Sequence, residues 1–416
     1  MYTARVYLFK SITYRVDAEI HWGTHQTPPP LRDLLDFLVA TPSVCPHIRD
    51  LRLVMHVSHA IQLHSISLWD TIVLRGGDLA ALYAILQHTP RLRSLAVHNF
   101  RFADPGSTLT LPPIADGPAL QHLESLYICH REPFPLFRMN DHPYQLFYLL
   151  GSIRKVVFDT QLPSMRSFGE VVPSWPRRAL RRVHELSMTN PKDVQYLRTI
   201  DYARLHACYF QRVDEPADVA LLANWLRTAG RGLRGIEFPV RMHLHMLRAP
   251  ADPFLDVLDL SVLARLDTLT LVLTLFADFA QGVSGFLAPV YAFLCRALSA
   301  TASSLRSLTI RVESWDISSL PTLQHRDSAF DIRPALVTDW RELDKALVGC
   351  ATTARLRKVR FVEEPWEEDE MRPAIASALP EACARGLVHW GKPNSAHWNF
   401  WAHRGESKSS RSSLDV

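Results

Sequence analysis

LRSLAV, residues Leu92–Val97, reads as a short buried strand: after the leading Leu92, the apolar side chains at 95 and 97 share one side and those at 94 and 96 take the other. The phrase returns as IRDLRL from Ile48, LESLYI from Leu123, IRKVVF from Ile153, VHELSM from Val183, LRGIEF from Leu233, LDTLTL from Leu266, LRSLTI from Leu305 and LRKVRF from Leu356. FKSITY from Phe9 and LHACYF from Leu205 are weaker copies. Starts at 92, 123, 153 and 183 are separated by 31, 30 and 30 residues, about the length of one strand, one helix and two loops. Elsewhere the spacing drifts from 22 residues, between Val183 and Leu205, to 51, between Leu305 and Leu356, so insertions are expected to interrupt the stack.

The stretch before a phrase changes to helical spacing, most clearly in LRDLLDFLVATP (Leu31 to Pro42), DLAALYAILQHTP (Asp78 to Pro90), DVALLANWLRTAG (Asp218 to Gly230) and DWRELDKALVGC (Asp339 to Cys350). Asp at the start suits capping, and Pro or Gly stops several of these segments. Strand and helix repeating in one order make every strand run the same way, which predicts an α/β fold: an irregular leucine-rich-repeat solenoid, an arc or horseshoe with parallel strands on the concave face and helices on the convex face. A 416-residue solenoid grows by adding units, so one elongated domain is expected over residues 31–404. Residues 1–30 supply an N-terminal strand and a Pro-rich linker, residues 316–334 an insertion, residues 371–404 a C-terminal cap and residues 405–416 a disordered tail.

Hydrophobic residues make up 47% of the chain and charged residues 21%, which excludes a wholly disordered chain. A formal net charge of +4, from 46 basic and 42 acidic residues, is too balanced for a nucleic-acid footprint over the whole surface. The six cysteines lie far apart with no CxxC pair, and the start does not resemble a signal peptide, so an intracellular protein, cytoplasmic or nuclear, is expected. The apolar run from Leu269 to Leu294 is broken by Asp278, Gln281, Gly282, Gly285 and Pro289. It is read as a buried strand, LDTLTLVL, and a helix, PVYAFLCRAL, without a membrane span.

RVYLFKSITY (Arg5 to Tyr14), LLDFLVATPSVCPHIRDLRL (Leu34 to Leu53) and LQHTPRLRSLAV (Leu86 to Val97) together resemble the repeat region of F-box-type leucine-rich-repeat proteins of basidiomycete fungi. The resemblance spans about the first 130 residues and continues beyond them as pattern. It implies a substrate receptor of a cullin-RING ubiquitin ligase, whose F-box holds the adaptor subunit and whose repeats hold the protein to be degraded. No LPxE-like helical start precedes the first strand, so the adaptor is an expected partner only where an F-box exists upstream; a free-standing repeat protein with no ligase link is the alternative. The ordinary repeat also carries Asn or Cys two residues beyond its LxL unit, whereas this chain has Phe100, Arg131, Pro191 or Arg241 there. The turns are therefore expected to satisfy their backbone groups in another way.

Residues alternating with the inward ones define the candidate partner-binding surface on the concave face: Asp50 and Arg52, Ser125 and Tyr127, Lys155, Glu185, Glu237, Thr268, Lys358 and Arg360. Small neighbours such as Ser94, Ala96, Ser187 and Thr309 lie between them. His243 and His245 fall on one side of a strand, but no third ligand lies nearby, so no metal is expected. The acidic run Glu363 to Glu370 reads as a solvated loop, and the Trp-rich segment from His389 reads as part of the cap. Arg177, Arg178, Arg181 and Arg182 form the densest basic cluster, without the interleaved aromatics that base stacking uses. GxSxG, HExxH and a Gly-rich phosphate loop are all missing, and 16 glycines leave few close backbone approaches, so neither an enzyme nor a cofactor is expected.

Overall fold

Each apolar phrase becomes a strand in the computed structural model, which describes residues 9–18, 31–57, 73–74, 76–98, 101–102, 120–130, 146–147, 149–160, 182–189, 204–210, 213, 216–241, 258–276, 288–301, 304–315, 340–353, 355–364 and 368–391. The chain divides into two compact units, Met1–Gln211 and Arg212–Val416. In the first unit, β1 (Ser11–Ala18), β2 (Asp50–Val57), β3 (Ser94–His98), β4 (Leu120–His130), β5 (Leu150–Thr160), β6 (Arg182–Met188) and β7 (Ala207–Phe210) lie side by side in chain order. In the second, β8 (Gly235–Arg241), β9 (Thr268–Phe276), β10 (Ser307–Trp315), β11 (Lys358–Glu364) and β12 (Val388–Gly391) do the same. Every pairing is parallel and both arrays are open. The class is thus α/β with parallel sheets built from sequence-adjacent strands. Outside the arrays, Val73–Leu74 pairs with Arg101–Phe102.

Register aligns like with like. Leu51, Leu95, Leu126, Val156, Leu186 and Cys208 form one buried row across the first unit, and Leu53, Val97, Ile128, Phe158, Met188 and Phe210 form the next. In the second unit Ile236, Leu269, Leu308 and Val359 make the corresponding row, beside Leu271, Ile310 and Phe361. A fully buried Leu or Ile is stabilised by about 1.5–3 kcal/mol relative to exposure, so these rows supply most of the sheets' share of the core.

The helices follow the expected order: α1 (Arg32–Ala40), α2 (Gly76–His88), α3 (Pro216–Ala229), α4 (Ala288–Thr301) and α5 (Arg341–Thr353), then α6 (Glu368–Ala378) and the short α7 (Pro380–Ala384). Among the described residues no helix is long and apolar enough to cross a membrane, and Leu269–Leu294 contributes to β9 and α4 as expected. Two helix starts differ from the sequence reading. Asp218 sits inside the first turn because α3 opens at Pro216, whose fixed φ and missing N–H suit the first helical position, and α2 begins at Gly76, ahead of Asp78. The ends use one device repeatedly: the Thr41, Thr89 and Thr301 hydroxyls donate to the carbonyls of Phe37, Ile85 and Ala297, at 2.6, 3.0 and 2.7 Å. These bonds add a side-chain donor to carbonyls of the last turn, that of Phe37 also accepting from Thr41 N–H at 3.0 Å.

Near the start of the strands, main-chain groups pair with the neighbouring strand. The Lys10 carbonyl accepts from both Arg49 and Asp50 N–H, that of Arg49 from Arg93 and Ser94, and that of Arg93 from Glu124 and Ser125, all at 2.7–3.0 Å. Arg234 and Asp267 repeat the arrangement in the second unit. Phe100, Arg131 and Pro191 lie outside the described residues, as do the 316–334 insertion, the 405–416 tail, His243 and His245. Of the expected C-terminal cap, α6, α7 and β12 are described, and β12 adds one more parallel strand beside β11.

Asp344, 4% exposed on α5, holds α7 in place: its Oδ1 accepts from Ala382 N–H at 2.9 Å and its Oδ2 from Glu381 N–H at 3.0 Å. A carboxylate at a helix start satisfies orphan donors and meets the positive end of the peptide dipoles. Asp344→Ala should cost about 1–3 kcal/mol in urea denaturation and Asp344→Asn less, since the amide keeps one acceptor. Leu95→Asp places a charge at a position 0% exposed and should prevent cooperative folding. A soluble Leu95→Asp protein with a wild-type melting curve would show that Leu95 does not face the core.

Candidate functional site

The ten candidate residues all lie on the side of the strands opposite the apolar rows, and register sorts them into lines. Asp50, Ser94, Ser125, Lys155 and Glu185 are successive partners across β2 to β6, and Arg52, Ala96 and Tyr127 form the adjacent line. In the second unit Thr268 lines up with Ser307 and Lys358, and Glu237 with Thr270, Thr309 and Arg360. Arg52, Thr268 and Lys358 are exposed, and Asp50, Ser125, Lys155, Glu185, Glu237 and Arg360 are half-buried. Tyr127 sits deeper than the sequence suggests, at 7% exposure.

The reason lies one alternate position further along the strands. Val54, His98, Cys129 and Asp159 form a third line, and Asp159 is fully buried. The Tyr127 hydroxyl donates to Asp159 Oδ2 at 2.8 Å, and Cys129 Sγ approaches the same oxygen at 3.8 Å. Burial, then the neighbouring Cys129 and Asp159, push the Tyr127 phenol far above its ordinary range, so it remains a donor at any physiological pH. On its other side the Tyr127 ring lies 5.0 Å from the His98 ring, and His98 Nε2 accepts from Arg52 Nε at 3.0 Å. That bond places the imidazole proton of the neutral form on Nδ1. Arg52, His98, Tyr127 and Asp159 thus form a chain across four strands whose exposed end is Arg52 and whose buried end is a carboxylate.

Beside it, the Ser125 hydroxyl donates to that of Ser94 at 2.9 Å. Lys155 and Glu185 are register partners, and Glu185 also pairs with Arg154 at 3.8 Å. In the second unit Glu237 reaches across β9 to Arg311 on β10, 2.9 Å away, with side chains 18% and 16% exposed. Such a half-buried, hydrogen-bonded pair fixes geometry more than it adds stability, because desolvation offsets much of the attraction.

The sequence reading missed His98, Cys129, Asp159 and Arg311. Each lies one position beyond the LxL unit and two beyond the outward residue inside it, so extending the same alternation by one step finds them. Among the described residues no group of three or more His, Cys, Asp or Glu is placed to hold a metal ion. Arg182 is exposed at the start of β6, while Arg177, Arg178 and Arg181 lie outside the described residues.

His184 and His206 stack where β6 and β7 begin, with ring centroids 5.4 Å apart. Desolvation first, then the charges of His206, Arg204, His122 and Arg154, lower the His184 pKa, while Glu185 lies beside it in the chain. The folded state therefore resists protonating this ring. Its contribution to stability is fully present above the unfolded value of about 6.5 and is lost as pH falls from there through the lower folded value. Denaturation midpoints of the wild type should decline over that interval, and His184→Gln should flatten the decline. An unchanged pH profile in His184→Gln would assign the decline to other groups. No family model matches the chain, and no curated protein matches it.

Proposed function

We propose that the chain is a protein-interaction scaffold of the leucine-rich-repeat type that receives a partner on the polar side of its parallel strands. The observation that carries this reading is register. Equivalent outward positions of successive strands fall into continuous lines that mix charges, exposed at Arg52 and Lys358 and half-buried at Lys155 and Arg360, with hydroxyls, Ser125, Thr268 and Thr309. Such a surface offers many spaced hydrogen-bonding and ionic contacts from a rigid backbone, which favours extended protein partners over small ligands. The resemblance in the first 130 residues supports a narrower form of the proposal, in which the partner is a degradation substrate and the chain is the substrate-binding repeat region of an F-box-like ubiquitin-ligase receptor. A free-standing scaffold with no ligase link is the alternative.

Tagged chain, both as given and extended through any upstream reading frame, should be purified with its partners and quantified by mass spectrometry. Recovery of adaptor and cullin subunits supports the receptor reading, and partners without them support the free-standing scaffold. In either case Arg52→Ala with Arg360→Ala should reduce the specific partners at least about fivefold while thermal melting stays within a few degrees of wild type. Full capture by a folded double variant would remove these two residues from the interface.

A further inference from the structure

The residue after the first apolar position of each phrase forms its own line, just ahead of β1, β2 and β3 and inside β4, β5 and β6, and in the first unit that line is basic. Lys10, Arg49, Arg93, Glu124, Arg154 and His184 follow one another strand by strand, with His206 next to His184. The backbone bonds from Lys10 to Arg49, Arg93 and Glu124, and from His184 to His206, fix this order directly. Neighbouring strands stand about 4.8 Å apart, so the cations are held in a closely spaced row by the sheet. They are available to solvent: the Arg93 side chain is 53% exposed and that of Arg154 is 67% exposed.

The acidic groups nearby do not balance the row. Glu124 stands within it and pairs with Arg93 at 3.4 Å, Glu185 pairs with Arg154 at 3.8 Å, and Asp50 adjoins Arg49 in the chain. Against these stand Lys10, Arg49, Arg93 and Arg154, with Lys155, Arg182 and Arg204 beside them. In the second unit the equivalent line is Arg234, Asp267, Arg306 and Arg357, where Asp267 engages Arg306 at 3.6 Å. Like charges kept close together by main-chain bonds repel one another, and a binding partner of opposite charge relieves that repulsion.

We propose that the basic row of the first unit is a docking site for an acidic segment of a protein partner, one rich in Asp and Glu. The proposal rests on the reading of the chain as an interaction scaffold and adds the chemistry of what it holds. An acidic protein segment is favoured over nucleic acid because Glu124 and Glu185 stand among the cations and the chain's formal net charge is only +4, short of the extended basic footprint that phosphate-backbone binding uses.

The test uses the full chain and a fluorescein-labelled twelve-residue peptide of alternating Glu and Ser, followed by anisotropy at low and moderate salt. The expected result is saturable binding that weakens as salt rises. Affinity should fall roughly tenfold in a variant carrying Arg49→Gln, Arg93→Gln and Arg154→Gln. It should change less than about twofold in one carrying Arg32→Gln, Arg227→Gln and Arg296→Gln, which removes the same charge from helices. A photo-crosslinking version of the peptide, mapped on the wild-type protein, should label residues of the row whether or not the variants fold. Equal loss in both variants, absence of binding, or labelling elsewhere overturns the proposal. Tighter binding of a twelve-nucleotide uridine RNA at the same residues also overturns it, in favour of nucleic acid. The readout does not involve adaptor recovery, so failure of the ligase reading and failure of this one are distinguishable.

Discussion

The main-chain bonds at the start of each strand are the constraint on which the rest depends. A carbonyl at the second position of one phrase accepts two N–H donors from the next, as Arg49 does from Arg93 and Ser94 and Arg234 does from Asp267 and Thr268. Once made, this bifurcated contact sets register for the whole strand, because a slip of one residue would turn every buried Leu to the polar side. The specificity of register then comes from both sides at once, the apolar rows penalising a slip and the paired carbonyls rewarding its absence.

From that register the core follows. Rows of Leu, Ile and Val stack at one level through each array, with Phe158, Phe210 and Phe361 widening them where more volume must be filled. Helices close the other side of the core through the same economy of signals. Phe293 and Leu294 of α4 and Leu343 and Leu347 of α5 are buried, and Cys350 Sγ approaches the Leu298 carbonyl at 3.6 Å between them. Trp340, 2% exposed, joins the layers, its ring 6.0 Å from that of Phe361. Single repeats cannot reproduce this, since every apolar row borrows its neighbours from adjacent units.

The fold class was legible because one phrase repeats with little variation: LRSLAV and LRSLTI become equivalent strands, and the helical segments before them appear within a few residues of the expected bounds. Helix starts were less legible. An Asp suits both a cap and a first turn, and at Asp218 the proline two residues earlier decided between them. The site was legible as a side of the sheet but not as a network. Alternation shows that Tyr127 and Glu237 leave the apolar rows, yet nothing local shows that Asp159, 32 residues on, or Arg311, 74 residues on, will meet them. Those contacts depend on which strands become neighbours and on how far each strand continues past its phrase.

The polar side consequently divides into groups with different tasks. Tyr127 with Asp159, and Glu237 with Arg311, pair across strands and tie them together. Residues where the strands begin, above all Lys10, Arg93 and Arg154, keep their charged ends in solvent while their backbones carry the ladder. Stability at those positions lies in the main chain and is therefore nearly independent of side-chain identity. The same positions are free to vary in charge without loss of register, so the chemistry of this surface can change while its geometry stays fixed, which is the property the proposed docking of a partner would use.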